Sequence, residues 1–246
     1  MIATPTRRRF SFGKFLLLLI LFVLLLAVLA IGMTGVIPGL SRLVGATTAR
    51  DLGVKATPAD FQNVTSRMQY TLDNQPAATD PSKYRKVYTG KKPVDQVFTS
   101  EELSALLTYN HVTWWPLKDV QVKAHADGTM EVAALLITKH VPWQEFPSSI
   151  TNHLPKFMPD HLPVYVKGRI DRVGPTEVSL GLERVELGRL PVPGIGAGSN
   201  AQATRYVNDR IRSIPGFTIE ELSYQDGKVR FQGTFPESFK RVAITP

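Results

Sequence analysis

The chain has 246 residues, of which 43% are hydrophobic and 20% are charged, and it contains no cysteine. This composition is typical of a globular protein, and it excludes disulfides, thiolate metal sites and lipid-modified cysteines. The formal net charge is +8, and four basic residues near the N-terminal end account for half of it. The remaining positive charge is small and scattered, so we expect no nucleic-acid partner.

The first feature along the chain is an apolar segment, FLLLLILFVLLLAVLAIGM, which follows Lys14 and ends at Met33. As a helix these 19 uncharged residues would extend about 28 Å, close to the ~30 Å of a bilayer's hydrocarbon core. The nearby basic residues all precede the segment, which favours a cytoplasmic N-terminus. We therefore expect a cytoplasmic tail over residues 1–14, a single-pass membrane anchor over residues 15–37, and a main domain on the extracytoplasmic side.

Two other interpretations of this segment stay open. Val28-Leu29-Ala30 is a candidate cleavage site, which would make the segment a signal peptide, and Thr6–Phe10 partly matches a twin-arginine signal. Cleavage would also leave the main domain outside the cytoplasm. The last alternative is a buried core helix, since the segment has no polar face.

Residues 38–56 are predicted to be a linker, and residues 57–246 an extracytoplasmic domain. Thr57-Pro58-Ala59-Asp60 predicts a helix start, with the helix ending near Met68. Strands are expected at Tyr84–Thr89 and Val94–Phe98, around a Gly-Lys-Lys-Pro turn. Thr99-Ser100-Glu101-Glu102 is a capping box that predicts a second helix.

Two Asp-Gly pairs predict β-hairpins with type I′ turns. Asp127-Gly128 is flanked by alternating apolar residues, and so is Asp226-Gly227. Each predicted hairpin follows a helical stretch, the second at about Ala201–Ser213, so we interpret the two segments as a weak internal repeat. The stretch PGIGAGSN is expected to be a flexible loop that ends at a Ser199 or Asn200 helix cap.

Two long strands are expected on either side of Gly174-Pro175. Apolar and polar residues alternate along both strands. A bulge is predicted at Gly168, and near Glu183-Arg184 the apolar residues change from even to odd positions. Long bulged strands favour a curved sheet. The predicted fold class is therefore α+β: an N-terminal transmembrane helix, then a curved, mainly antiparallel sheet packed with a few helices.

The sequence contains no recognisable catalytic or metal-binding motif. His153, Asp160 and His161 form the one cluster of potential ligands, and their spacing is too loose for zinc. The glycines of PGIGAGSN do not have the spacing of a dinucleotide or phosphate loop, and no nucleophile elbow exists. We expect no enzyme activity, no cofactor and no metal.

The segment HVPWQEFPSSITNHLPKFMPDHLP combines apolar residues at three- and four-residue steps with several prolines. It is interpreted either as a stripe that caps the core, or as a lid or mouth over an apolar cavity or a segment that dips into the membrane interface. For the second case the candidate lipid-binding residues are apolar lining residues and two rim cations, namely Trp143, Phe146, Ile150, Leu154, Phe157, Lys156 and Lys167.

Five stretches in chain order carry a resemblance to a known family. They are FTSEELSALL, WPLKDVQVKAHADGTMEV, LPVYVKGRI, LERVELGRLPVP and LSYQDGKVRFQGTFP, within Ala49–Phe239. Together they resemble bacterial single-pass extracytoplasmic proteins of the YpmS-like kind, which are similar to LmeA-like domains and to the tubular lipid-binding (TULIP-like) superfamily. The resemblance implies a curved sheet around a long helix, with an apolar groove for acyl chains, although this chain has no obvious long helix.

The expected function is that of a membrane-anchored, extracytoplasmic lipid-binding module of the cell envelope. Its expected partners are the bilayer and a lipid or lipid-linked ligand. The alternative is a non-enzymatic structural or assembly partner of cell-envelope machinery, in which the same apolar stripe docks an envelope protein.

Overall fold

The computed structural model describes residues 22–23, 47–69, 71–73, 84–109, 115–141, 159–192 and 197–243. This part of the chain is α+β and mainly antiparallel, as predicted. Its helices are α1 (Pro58–Met68), α2 (Ser100–Thr108) and α3 (Ala197–Arg212), with a short 3-10 helix at Thr138–His140. Its strands are β1 (Thr71–Asp73), β2 (Tyr84–Thr89), β3 (Lys92–Phe98), β4 (Leu117–Ala124), β5 (Thr129–Ile137), β6 (His161–Gly174), β7 (Glu177–Leu187), β8 (Leu190–Pro191), β9 (Thr218–Gln225), β10 (Lys228–Phe235) and β11 (Ser238–Ala243).

The predicted anchor over residues 15–37 lies outside the described residues, apart from Phe22 and Val23. Within the part of the chain that the structure describes, no helix has both the length and the apolar character needed to cross a bilayer. The anchor therefore stays a prediction from the sequence.

The largest sheet has five antiparallel strands in the order β4-β5-β6-β7-β8. The predicted hairpin between β4 and β5 is confirmed, but its predicted type I′ turn is wrong. His125 N donates to Thr129 O at 2.9 Å, so the loop has three residues, and only Gly128 has a positive φ, of 83°. A three-residue loop needs just one left-handed residue, at its last position.

The longest strand pair, β6 with β7, contains the predicted bulge. The register shifts between Lys167 and Gly168, with Glu183 as the extra residue on β7. A Cβ added at Gly168 would lie 2.6 Å from the carbonyl oxygen of Gly181, so only glycine allows this close approach. Near Glu183 the alternation of apolar and polar residues in the sequence shifts by one position, and this bulge is the cause.

A bent two-stranded ribbon joins the two smaller sheets. β3 pairs with β10, from Phe98 with Val229 to Lys92 with Phe235, and β2 continues the same register with β11. Glu237 N donates to Thr89 O at 3.0 Å across the bend. The predicted turn after Thr89 is thus a bend between two consecutive strands of one ribbon.

The second predicted hairpin, β9 with β10, is confirmed together with its turn type. Asp226 and Gly227 have φ values of 51° and 71°, as a type I′ turn requires. The predicted helix start at Thr57 and the predicted capping box at Thr99 are confirmed as well, and Thr57 also forms a capping box. Thr57 pairs with Asp60 at the start of α1, and Thr99 pairs with Glu102 at the start of α2.

Helix α2 closes one edge of the five-stranded sheet with hydroxyl groups. Ser104 Oγ accepts from Val122 N at 2.7 Å, and Ser100 Oγ accepts from Ala124 N at 3.1 Å. One helical turn further on, the hydroxyl of Thr108 donates to Val120 O of β4 at 3.3 Å. Four helical residues rise about 6 Å and two strand residues about 6.6 Å, so the steps match.

On the opposite side of the sheet, helix α3 closes in the same way the part of β7 that the two-residue strand β8 does not pair. The side chains of Asn200, Thr204 and Asn208 accept from alternate backbone N–H groups of β7 at 3.1, 3.0 and 2.9 Å. Asn208 also donates to Val178 O at 3.0 Å. The predicted cap at Ser199 or Asn200 is wrong, because α3 already begins at Ala197 and the Asn200 amide is committed to the sheet edge.

We expect Asn208→Ala to destabilise the protein by about 3 kcal/mol, because Val178 would lose partners for both its N–H and its C=O. Ser104→Ala should act similarly on the other edge, where Ser104 is fully buried. Chemical denaturation of the full chain measures both changes. The control is Arg205→Ala on the exposed side of α3, which should cost less than about 0.5 kcal/mol. Equal effects for Asn208→Ala and the control would contradict the edge-closing role.

Candidate functional site

The five-stranded sheet has two faces of opposite character. Val122 of β4, Ala134 of β5 and Val164 of β6 belong to an apolar cluster on one face. Their chain neighbours Ala133 and Tyr165 belong to a different cluster on the other face. We call these the apolar face (Val120, Val122, Met130, Val132, Ala134, Val164, Val166, Val185, Leu187) and the polar face (Gln121, Lys123, Glu131, Ala133, Tyr165, Glu186).

Helix α2 packs mainly on the β4 side of the apolar face. Val120 and Val122 are buried beneath its Leu103 and Leu107. On β6 and β7, Val164, Val166, Val185 and Leu187 are half-buried instead. The apolar face is therefore closed at one side and only partly covered at the other.

The interior next to the apolar face continues into the smaller sheet. Leu103 packs against both the apolar face and the cluster of Val64, Met68 and Phe98. Phe217 stacks on Phe231 of β10 with their ring centroids 5.6 Å apart. The two apolar regions thus form one connected set of side chains.

Tyr224 of β9 links this interior to the five-stranded sheet. Its hydroxyl donates to Ile170 O at 2.8 Å and lies 3.6 Å from Met130 Sδ. Burial, together with the carboxylate of Asp171, raises the pKa of Tyr224 to about 12. The phenol therefore stays protonated at neutral pH and holds β9 against the end of the apolar face.

The polar face is covered by a segment that we call the strap, residues 50–56. Leu52 N and Val54 N both donate to Gln121 Oε1, at 2.8 and 3.3 Å. Lys123 Nζ donates back to Leu52 O at 3.2 Å. The side chains of Leu52 and Val54 are buried against Ala133 and Tyr165.

A buried carboxylate fastens the first residue of the strap. Glu186 is only 1% exposed, and its Oε2 accepts from Arg50 Nη2 at 2.7 Å. The Arg50 guanidinium also lies over the Tyr165 ring, 4.1 Å from its centroid. Arg184 Nε lies 2.5 Å from the other oxygen of Glu186, but it is not aligned for a hydrogen bond. The Glu186 carboxylate, which supplies the charge and the hydrogen-bond acceptor, and the face of the Tyr165 ring together form a slot that fits a guanidinium.

A second carboxylate, Glu131, lies next to this slot. Its two oxygens contact His125 Nε2 and Tyr165 Oη, each at 2.7 Å. Burial raises the pKa of Glu131, but the hydrogen bonds from Tyr165 and His125 outweigh burial and leave the pKa lowered. Burial and the same carboxylate raise the pKa of Tyr165 to about 12. Glu131 is therefore an ionised acceptor that orients Tyr165 beneath Arg50.

Lys167 is the one predicted lipid-binding residue that the structure describes. It lies on β6 next to Val166 and points to the polar face, where its Nζ is 3.5 Å from Glu183 Oε2. The other candidates lie outside the described residues, and they are Trp143, Phe146, Ile150, Leu154, Lys156 and Phe157. Lys167 is thus separated by the sheet from the apolar face, and the role of the set stays a prediction.

The described ranges contain no group of three or more His, Asp and Glu side chains that could bind a metal ion. His161 lies at the exposed start of β6, and His153 is outside the described residues. His125 Nε2 lies 2.7 Å from Glu131 Oε1. The polar contacts described on the polar face are ion pairs and hydrogen bonds, including those to the main chain of the strap.

Two features of the sequence indicate the polar face. Leu52 and Val54 alternate around Gly53 after Arg50, which is a strand-like pattern inside a segment interpreted as a linker. Glu186 stands between Val185 and Leu187, so alternation puts it on the other face. Its partner Arg50 is 136 residues away, and no local pattern connects them.

Comparisons with protein-family models, curated proteins and solved structures give no match to this chain. Functional inference therefore depends on the geometry of its own residues.

The stability of the protein should fall as the pH rises from about 10 to about 12. Because folding raises the pKa of Tyr165 above its ordinary value, the folded state favours the protonated phenol. This contribution is complete below pH 10, and it is lost as the phenol ionises on the way to its folded pKa, at a total cost of about 3 kcal/mol. Denaturation midpoints between pH 8 and 11.5 measure the effect. Tyr165→Phe should show a shallower decline than wild type, and an unchanged slope would contradict the assignment.

Proposed function

We propose that this chain is a single-pass, membrane-anchored lipid-binding module, with its domain on the extracytoplasmic side and no catalytic role. The observation that supports this most directly is the half-buried part of the apolar face across β5, β6 and β7. The proposed ligand is a lipid or lipid-linked molecule, with its acyl chain on this face.

The division between the two faces supports an apolar ligand. Ionisable side chains such as Glu131, Lys167 and Glu186 lie on the polar face, and the half-buried part of the apolar face is built from valine and leucine. An extended apolar surface that is only partly covered is typical of a binding site. An acyl chain gains about 0.8 kcal/mol for each CH₂ group buried on such a surface.

Two bulges support the curved sheet that is one part of the proposed fold. Bulges at Gly168 on the β6–β7 pair and at Gly233 on the β9–β10 pair increase local twist, which favours a curved sheet. A tubular lipid-binding fold is our proposal for how this curvature is used. The apolar segment at residues 15–37 would keep the domain next to its lipid source.

Photolabelling of the full chain in nanodiscs tests this proposal. The probe is a phosphatidylcholine that carries a diazirine in its acyl chain, and labelled positions are mapped by mass spectrometry. We expect labels on the apolar face, near Val164, Val166 and Val185. Val166→Arg should reduce that labelling at least tenfold, because a guanidinium would lie in the path of the acyl chain.

The matched control is Val173→Arg, the same change at a position 62% exposed near the tip of the β6–β7 hairpin. This variant should label as wild type. Val185→Phe offers a second test without a charge, since the larger ring would fill the space next to Val166 and also reduce labelling. Labels confined to residues 15–37, or unchanged labelling in both folded apolar-face variants, would contradict the proposal.

A further inference from the structure

We propose that the polar face is a peptide-binding groove and that the strap occupies it in cis. The groove would accept a segment with the pattern Arg-x-Leu-Gly-Val from a partner protein in place of residues 50–54. This inference does not depend on lipid binding, because it concerns the opposite face of the sheet.

Side chains of the sheet recognise the main chain of the strap. Gln121 Oε1 accepts from two strap N–H groups, and Lys123 Nζ donates to a strap carbonyl. At the far end of the strap, Tyr109 Oη donates to Ala56 O at 3.2 Å. Contacts of this kind bind any peptide of the right shape, whatever its side chains.

A bend at Gly53 gives the strap that shape. Gly53 has a φ of 75°, and its N–H is held by Asp51 Oδ1 at 2.8 Å. The bend brings the N–H groups of Leu52 and Val54 to one acceptor, the Gln121 oxygen. A Cβ at Gly53 would meet nothing within 4 Å, so the backbone conformation, and not space, calls for glycine.

Side-chain pockets supply specificity. The slot between Glu186 and Tyr165 holds the guanidinium of Arg50, where a planar cation with several donors fits better than lysine. Leu52 and Val54 are 7% and 6% exposed and fill the surface over Ala133 and Tyr165. The recognised features are therefore arginine, then leucine and valine at two-residue steps around a glycine.

The strap is attached so that it can leave without breaking the sheet. Among the described residues, no backbone-to-backbone hydrogen bond joins residues 50–56 to a strand. Within the described ranges, every polar contact between the strap and the rest of the domain involves a side chain, and β4, β5 and β6 pair with one another without the strap. A competing segment can thus replace the strap while the sheet keeps its own pairing.

Binding of a labelled peptide to the full chain tests the groove. The probe is a fluorescent peptide with the sequence of residues 47–57, measured by anisotropy with protein in detergent. A tethered strap has a local concentration on the order of millimolar, so wild type should bind the peptide weakly. The Arg50→Ala, Leu52→Ala chain has a weakened strap and should bind it at least tenfold more tightly.

Three controls make the result specific. A peptide with alanine in place of its arginine should bind the weakened-strap chain at least tenfold less tightly. Adding Glu186→Gln to the weakened-strap chain should likewise make the unmodified peptide bind at least tenfold less tightly. A chain with the exposed Arg85 changed to alanine and an intact strap should behave as wild type.

Hydrogen exchange provides the second measurement. In the weakened-strap chain, the amides of positions 52 and 54 should exchange at least tenfold faster than in wild type, with β5 and β6 unchanged. The proposal is overturned if these amides are freed and the peptide still does not bind. It is also overturned if they exchange only together with the strands, since the strap would then be part of the cooperative fold.

Discussion

The rest of the structure depends on how the two edges of the five-stranded sheet are satisfied. An edge strand leaves a row of backbone N–H and C=O groups without partners, and leaving such groups buried is costly. Here two helices present serine, threonine and asparagine at every fourth position, so that each helical turn meets alternate residues of β4 or β7. This arrangement satisfies β4 on one side and, beyond the short strand β8, β7 on the other, so the further contacts of the sheet are made by its two faces.

Local patterns predicted most of the elements, because the forces that set them are local. The capping box at Thr99, the bulge at Gly168 and the turn at Asp226-Gly227 follow from hydrogen bonds or contacts within a few residues or between adjacent strands. The rows of polar helix residues that bond to the sheet edges were not predicted. A row such as Asn200, Thr204 and Asn208 has the same sequence pattern as a helix face exposed to solvent. The Arg50 slot was missed for a related reason: its parts come from distant segments, and burial of Glu186 becomes visible only when they meet. The apolar segment near Trp143 lies outside the described residues, so the sequence remains the source for that part of the candidate site.

The two faces of one sheet meet different physical requirements. On the apolar face, affinity would come from area removed from water, which selects for chain length and not for detailed shape. On the polar face, the hydrogen bonds to Gln121 require a defined backbone shape, and the charge pair at Glu186 selects for an arginine side chain. Because neighbouring residues such as Val164 and Tyr165 point to opposite faces, a change in the path of β6 would move both surfaces together.

The bent ribbon limits how this chain can tolerate changes in length. β2 and β3 pair with β11 and β10 in the same register on both sides of the bend. Neither side of the ribbon therefore has an extra residue at the bend. Loss of a single residue from one strand would exchange inward and outward side chains over half of the ribbon. Phe239, buried on β11, would then face the opposite way. Chains related by descent should therefore vary in length at the hairpin loops and keep the number of residues between Tyr84 and Phe98 constant.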